Sequence, residues 1–289
     1  MNASNQATVY RPKVKRAIHS TLWYAVMALL SIVFALPFLY ILSTSFKTPE
    51  QCIVYPPQFI PKPFTLRSFQ TAFSEFPFIR YVLNSLLVTS LSVVGTLFSC
   101  SLVAFGFARI NAWGRNFWFT LLLSTMMIPG FVTLLPLYTI YVKLKWINTY
   151  LPLVVPAFLA MNSFSIFLLR QFFMGFPVEL DEAAAIDGCS CFGVLYRILL
   201  PNAKTVMFVV AIFALVNSWN DFFGPMIYLN NNDMYTLAVG LILFKSSHGA
   251  TLDLGPMMSV SLVSILPVLI LYIVAQKYFV QGIVTTGLK

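Results

Sequence analysis

Six runs of this chain, roughly 18–46, 81–108, 116–142, 150–174, 204–230 and 257–280, are nearly free of charge and long enough to cross a bilayer. A helix rises ~1.5 Å per residue, so about 20 apolar residues span a hydrocarbon core of roughly 30 Å. In lipid every backbone N–H and C=O must be paired within the protein, which leaves helices and closed barrels. A barrel would show short strands of alternating polarity, and these runs are continuous. Composition agrees. Of 289 residues 59% are hydrophobic and 9% charged, with a mean hydropathy of +0.83, too apolar for a soluble domain. The expected fold class is all-α: a polytopic membrane protein with six transmembrane helices over 18–281. A cytoplasmic segment, 1–17, is expected before it and a cytoplasmic tail, 282–289, after it.

Cytoplasmic loops of such proteins carry an excess of Lys and Arg. Placing the N-terminus inside puts eleven of the eighteen basic residues there, among them Arg11, Lys13, Arg109, Arg115, Arg170, Arg197 and Lys204. The other seven, including Lys47, Lys62, Arg67 and Arg80, fall outside, many in one longer loop that weighs less in this rule. Both termini are therefore expected inside. The net charge of +9 then serves topology and attraction to anionic lipid, and no nucleic-acid partner is needed to explain it. The first run has the basic lead-in of a secretory signal, yet it is too long and five more spans follow. Its leader, residues 11–20, is expected to lie along the inner membrane surface. Cys52, Cys100, Cys189 and Cys191 announce no disulfide, and Cys189 with Cys191 lacks the further Cys or His that zinc requires.

The loop after the first span carries Pro49, Pro56, Pro57, Pro61 and Pro63, a density that predicts an extended, non-helical cap. Gly95, Ser99, Ser101 and Gly106 in the second run are small residues that let helices approach closely. Proline interrupts the third run at Pro129 and Pro136, the fourth at Pro152 and Pro156, and the sixth at Pro267. Each frees a carbonyl and bends a helix, which suits a moving or path-lining bundle or simply better packing.

The least membrane-like segment is 175–203. Four of the nine acidic residues, Glu179, Asp181, Glu182 and Asp187, lie within ten positions of it. Gly175 and Pro177 stop the fourth span. A short helix then fits from Val178 to Asp187, its acids in the first turn where the helix dipole favours them. Gly188 suits the position just past that helix. A second short helix is expected to begin near Ser190, bury Phe192, Leu195, Ile198 and Leu199, and end before Pro201. The result is a helix–turn–helix elbow at the cytoplasmic face. Ala183, Ala184 and Ala185 are expected to present a surface without bulk around which another protein's cleft can close. An amphipathic loop with no partner accounts for the same residues.

Glu182, Ala183, Ala184, Gly188, Ile198, Leu200 and Pro201, at this spacing, resemble the cytoplasmic loop of permease subunits in binding-protein-dependent ABC importers. The stretch from Met127 to Gly130, that from Leu135 to Tyr138, Asn148 with Thr149 and Tyr150, the run from Asn217 to Phe222 and the tail 281–289 are similar to the sugar branch of that family, the maltose-type second permease. The likeness covers nearly the whole chain from the first span onward. Cys189 departs from the usual Ala, and Asn202 and Thr205 from the usual Leu and Pro. The resemblance implies a type I ABC importer permease fold in a bacterial or archaeal cytoplasmic membrane. It implies a non-enzymatic subunit that carries carbohydrate together with a homologous second permease. An external sugar-binding protein would deliver the ligand, and two ATP-binding subunits would hold ATP and Mg. Residues 178–201 would couple to those subunits through Glu182, Ala183, Ala184, Asp187, Gly188, Ile198, Leu200 and Pro201. This chain has no phosphate-binding Gly-x4-Gly-Lys-Ser/Thr loop, and no cofactor is expected on it. An importer of glycerol-phosphate esters is the alternative within the class. A secondary carrier would show paired repeats and more buried ionisable groups.

Besides Lys204 and Lys277 close to span ends, the only charged residues within the spans are Arg170 and Asp221. Arg170, near the inner end of the fourth, is expected to snorkel to the interface. Asp221 lies about 17 residues past Lys204, or roughly 25 Å along a helix. A lipid-facing carboxylate costs about 2.5–3.5 kcal/mol, so it should face a cavity or a partner. With Asn217, Trp219 and Asn220 it forms a candidate substrate path, amides meeting sugar hydroxyls and a ring meeting the apolar sugar face. Holding two subunits together, or gating, are the alternatives. Asn84, Asn162 and Ser163 are expected to form hydrogen bonds between helices. The loop 230–256, with Asp233 and Asp253, is a candidate contact for the external binding protein, or a solvated connector.

Overall fold

The computed structural model describes the backbone of residues 11–248 and 254–286, and side chains over 19–246, 254–270 and 272–273. The leader 11–20 and the tail 282–289 fall largely outside the described side chains, as does Asp253. No strand occurs among the described residues. In chain order the helices are α1 (Arg11–Thr44), α2 (Pro49–Cys52), α3 (Arg67–Glu75), α4 (Phe78–Arg109), α5 (Arg115–Ser124), α6 (Gly130–Lys143), α7 (Leu151–Phe158), α8 (Ser163–Met174), α9 (Glu179–Ile186), α10 (Cys191–Asn202), α11 (Lys204–Trp219), α12 (Phe223–Tyr228), α13 (Leu237–His248) and α14 (Gly255–Thr286).

The chain divides into two compact units, one running to Ala72 and including 254–262, the other from Phe73 and including the residues from Val263. In the first, α1 leaves the side chains from His19 to Phe34 exposed, as a helix surrounded by lipid does. Just past its end Lys47 is buried, its Nζ 3.2 Å from Thr44 Oγ1 and over the Tyr40 ring. Burial pushes the Lys47 ammonium below the usual lysine range. The loop after α1 is not the wholly extended cap expected of it: it holds two short helices, α2 among the prolines and α3 beyond them. Pro49 opens α2, where the missing N–H would have no helical partner in any case, and α3 begins beyond the last proline.

The second unit is built around α4. Its buried positions Tyr81, Ser85, Val88, Ser92, Gly95 and Ser99 recur every three or four residues and form one stripe along the helix. Hydroxyls and a glycine on that stripe let α7, α8 and α11 pack closely against it. Ser92 and Ser99 donate to the carbonyls of Leu153 and Ala157, at 3.3 and 2.6 Å. A Cβ at Gly95 would meet the Phe158 ring at 2.6 Å, so the approach there depends on glycine. Gly106, expected to pack in the same way, has open space beside it.

The spans are not six unbroken rods. Among the described residues, 19–44, α4 and 151–174 pass as single spans by length and hydropathy, and two bent pairs, each taken as one span, raise the count to five. One of these is α5 with α6, bent by 102° where Pro129 forces Ile128 into extended backbone. The described apolar part of α14 is the shorter Gly255–Ile270. The fourth span is interrupted at Ala160 and restarts at α8, which Asn162 caps by accepting from Ser165 N at 3.0 Å. Asn162 is thus a cap, whereas Ser163 reaches Thr125 across helices at 2.9 Å and Asn84 ties α4 to the carbonyls of Asp233 and Tyr235.

Two expectations are corrected. Arg170 does not snorkel: it is 9% exposed, donates Nε–H to the Phe107 carbonyl and lays its guanidinium 3.9 Å over the Phe119 ring. A carbonyl and an aromatic face replace water for it, joining α4, α5 and α8. The loop 230–256 is not a mere connector, because α13 forms within it and buries Leu237, Val239 and Phe244. At 12 residues it is too short to span, so it carried no span signal.

Candidate functional site

The elbow forms much as local chemistry dictates. Three acids, Glu179, Asp181 and Glu182, occupy the first turn of α9. The helix ends in a Schellman turn: Gly188 takes φ +78°, its N–H donates to Ala185 O at 3.0 Å, and Cys189 N–H reaches Ala184 O at 2.8 Å. Left-handed backbone costs an L-residue roughly 1–2 kcal/mol, which is why glycine stands there. Ser190 then caps α10, its Oγ accepting from Gly193 N at 3.1 Å.

What faces inward differs from expectation. Ala184 is 8% exposed and packs with Leu195, Leu199, Phe173 and Leu169 in one core cluster, whereas Ala183 and Ala185 face out. Three consecutive alanines give no pattern that could choose between them. Ile186 lies about 200° around the helix from Ala184 and is 87% exposed, an apolar knob that sequence reasoning missed. Its spacing from Ala184 was the available signal. Glu182, Asp187 and Gly188 are exposed beside it. Phe192, expected in the core, is exposed, while Leu195 and Leu199 are fully buried. The second helix does not stop before Pro201: a wider π-type turn over Val194–Leu199 accommodates the proline, and the helix runs to Asn202. Ile198 and Leu200 are half-buried and Pro201 is exposed. Asn202, one of the departures, donates Nδ2–H to the Ile198 carbonyl at 2.7 Å, and the chain then bends 83° into α11.

At the other end of α11 the four path residues separate. Trp219 is buried and its indole N–H is committed to the Ser264 carbonyl at 3.1 Å, so its ring is packed inward. Asn220 bonds back to Val216 O at 2.9 Å and is exposed. Asn217 and Asp221 remain together on a polar cavity of about 350 Å³, with Ser92, Thr96 and Asn162. Asp221 Oδ1 accepts from Gly224 N at 3.1 Å and has no cationic partner among the described residues. The same carboxylate lies on the wall of a larger, mostly apolar cavity of about 1360 Å³, along with Thr125, Thr133, Tyr141 and Tyr228. Asp221 therefore marks the meeting of a polar and an apolar space in the bundle. No group of three His, Cys, Asp or Glu that could hold a metal occurs among the described residues.

These features define the class, a polytopic helical bundle with a polar elbow at one end and cavities between its helices. The fold matches that of a bacterial ABC transporter involved in the import of the acidic polysaccharide alginate, with a TM-score of 0.79 and 21% identity over 92% of this chain and 98% of that one. Residues 100–285 match the family model described as the inner membrane component of binding-protein-dependent transport systems. The chain belongs to that family and is a membrane protein. Among its relatives is the arabinooligosaccharide transport permease AraQ of Halalkalibacterium halodurans, 36% identical, with 80% of this chain and 82% of the relative covered. The sulfoquinovosyl glycerol transport permease SmoH of Agrobacterium fabrum is 32% identical over 88% of each. The inner membrane ABC transporter permease YcjP of Escherichia coli is 30% identical over 95% of this chain and 98% of the relative.

Proposed function

We propose that this chain is one of two homologous permease subunits of an ATP-driven carbohydrate importer, and that α9 and its turn dock into a cleft of the partner ATPase. The observation that carries the reading is the one-sidedness of α9: Ala184 is fixed in the core while Glu182, Ala183, Ile186, Asp187 and Gly188 stand bare. An exposed isoleucine ringed by carboxylates and alanine is the composition of a small interface centre with a polar rim. Two ATP-binding subunits on the cytoplasmic side hold ATP and Mg, and this chain contributes no catalytic group. Both of its termini lie on that side. Ile198, Leu200 and Pro201 hold the second arm of the elbow at the angle that presents α9.

Sugar as cargo is supported by relatives named for arabinooligosaccharides and sulfoquinovosyl glycerol. An external binding protein hands the ligand over, and Asn217 and Asp221 lie on the path. Trp219 and Asn220 shape that corner. Driving alternating access from 1:99 to 99:1 takes about 5.5 kcal/mol, which closure of the ATPase pair delivers through the elbow. The test is a complex reconstituted in proteoliposomes with its sister permease, ATPase and binding protein. A cysteine at Ala183 is expected to cross-link to the ATPase, and a labelled arabino-oligosaccharide to enter only with ATP. A cross-link to nothing on the ATPase, or uptake without ATP, sinks the reading.

A further inference from the structure

We propose that Arg109 and Asp181 are positioning residues that clasp the elbow to the central helix and carry its stroke into the bundle. This rests on the docking reading of α9 and deepens it. Asp181 and Ala184 lie three residues apart, on the face of α9 turned toward the core, whereas Glu179, Glu182 and Asp187 are exposed. Of the four carboxylates in the elbow, Asp181 is the one directed back at its own subunit. Arg109 is the last residue of α4, where the helix dipole favours a cation.

Its Nε lies 2.9 Å from Asp181 Oδ2, an ion pair whose N–H is not aligned on the oxygen as a hydrogen bond. Its Nη2–H donates to the Phe176 carbonyl at 3.0 Å, so one guanidinium holds both the approach to the elbow and its first turn. The two side chains are 8% and 18% exposed, far less than those of the other ion pair among the described residues, Arg80 with Asp233, at 55% and 64%. Shielding from water strengthens the attraction and makes separation of the charges costly. The covalent routes from α9 lead back through 175–178 to α8 and forward through α10 to α11. The clasp adds a route to α4, the helix on which α7, α8 and α11 all pack. Removing either charge leaves the docking face intact but lets α9 move without α4.

The test uses the whole complex in proteoliposomes, with Thr133→Cys on the wall of the larger cavity and the four native cysteines replaced. The rate of thiol labelling at that cysteine, with and without ATP, reports motion inside the bundle without knowledge of the cargo. A second preparation carries Ala183→Cys and reports docking by cross-linking to the ATPase. In Asp181→Asn and in Arg109→Gln the cross-link yield is expected to stay at the parental level, while the ATP-dependent change in labelling falls at least fivefold. The exchange Arg109→Asp with Asp181→Arg is expected to restore at least half of that change, which a merely structural loss would not allow. Parental labelling in either single variant overturns the clasp, as does an exchange no better than the singles. Loss of the cross-link in the singles also overturns it, since the pair would then serve docking itself. Absence of the cross-link in the parent overturns the docking reading beneath it.

Discussion

The elbow and the polar corner stand at the two ends of α11 and treat polarity in opposite ways. The elbow turns an alanine and one paired carboxylate inward and leaves its remaining acids, with Ile186, in the open. The corner turns its tryptophan inward and leaves a carboxylate, Asp221, between two cavities. At the elbow the backbone is held by contacts a few residues apart: a dipole, a left-handed glycine and a serine cap. At the corner the surroundings come from α4, α7 and α11, which are distant in sequence. A site of the first kind reads from a short stretch. A site of the second kind does not.

The largest effect is expected at the turn itself. Proline cannot adopt φ +78° and would remove the N–H that bonds Ala185. Gly188→Pro should therefore reduce ATP-driven uptake to background with the chain still inserted, whereas Gly188→Ala should cost only about 1–2 kcal/mol. Normal uptake in the proline variant would erase the contrast between the two ends.

Next come the neighbouring alanines. Ala184→Leu overpacks the core and should lower stability in detergent by about 1–3 kcal/mol, read as a drop in thermal midpoint. Ala183→Leu, on the open face, should leave that midpoint unchanged while reducing cross-linking to the ATPase. Equal thermal shifts in the two would mean that α9 has no inner and outer side.

The corner should answer differently. Asp221→Leu leaves the Gly224 N–H without its acceptor, at a cost of about 1–3 kcal/mol, whereas Asp221→Asn keeps an oxygen there and much of the stability. Uptake should fall in both, and a normal rate in the asparagine variant would remove the carboxylate from the path. The smallest effect belongs to the exposed pair Arg80 with Asp233. Arg80→Ala should change stability by less than about 1 kcal/mol.

The same contrast explains how far the sequence could be read. Hydropathy picked out the apolar helices, though not their breaks, and the spacing from Glu182 to Pro201 picked out the elbow, because both are properties of consecutive residues. Which alanine of three faces the core was invisible, since alanine satisfies either environment. Trp219 was read as an open ring because its neighbours are polar, yet its orientation follows from Ser264, forty-five residues away. Arg170 was read from depth in the membrane, and the carbonyl of Phe107 that receives it belongs to another helix. The helix α13 escaped notice because an apolar run of its length suits a packed surface piece and a loop equally well.

Folding and recognition are written on different residues of α9. Ala184 and Asp181 answer to the bundle, while Glu182, Ala183 and Ile186 answer to whatever they meet outside it. If α9 docks as proposed, substitution in the second set would retune which motor accepts this subunit while the first set stays fixed. A transporter built that way would change engines without being rebuilt.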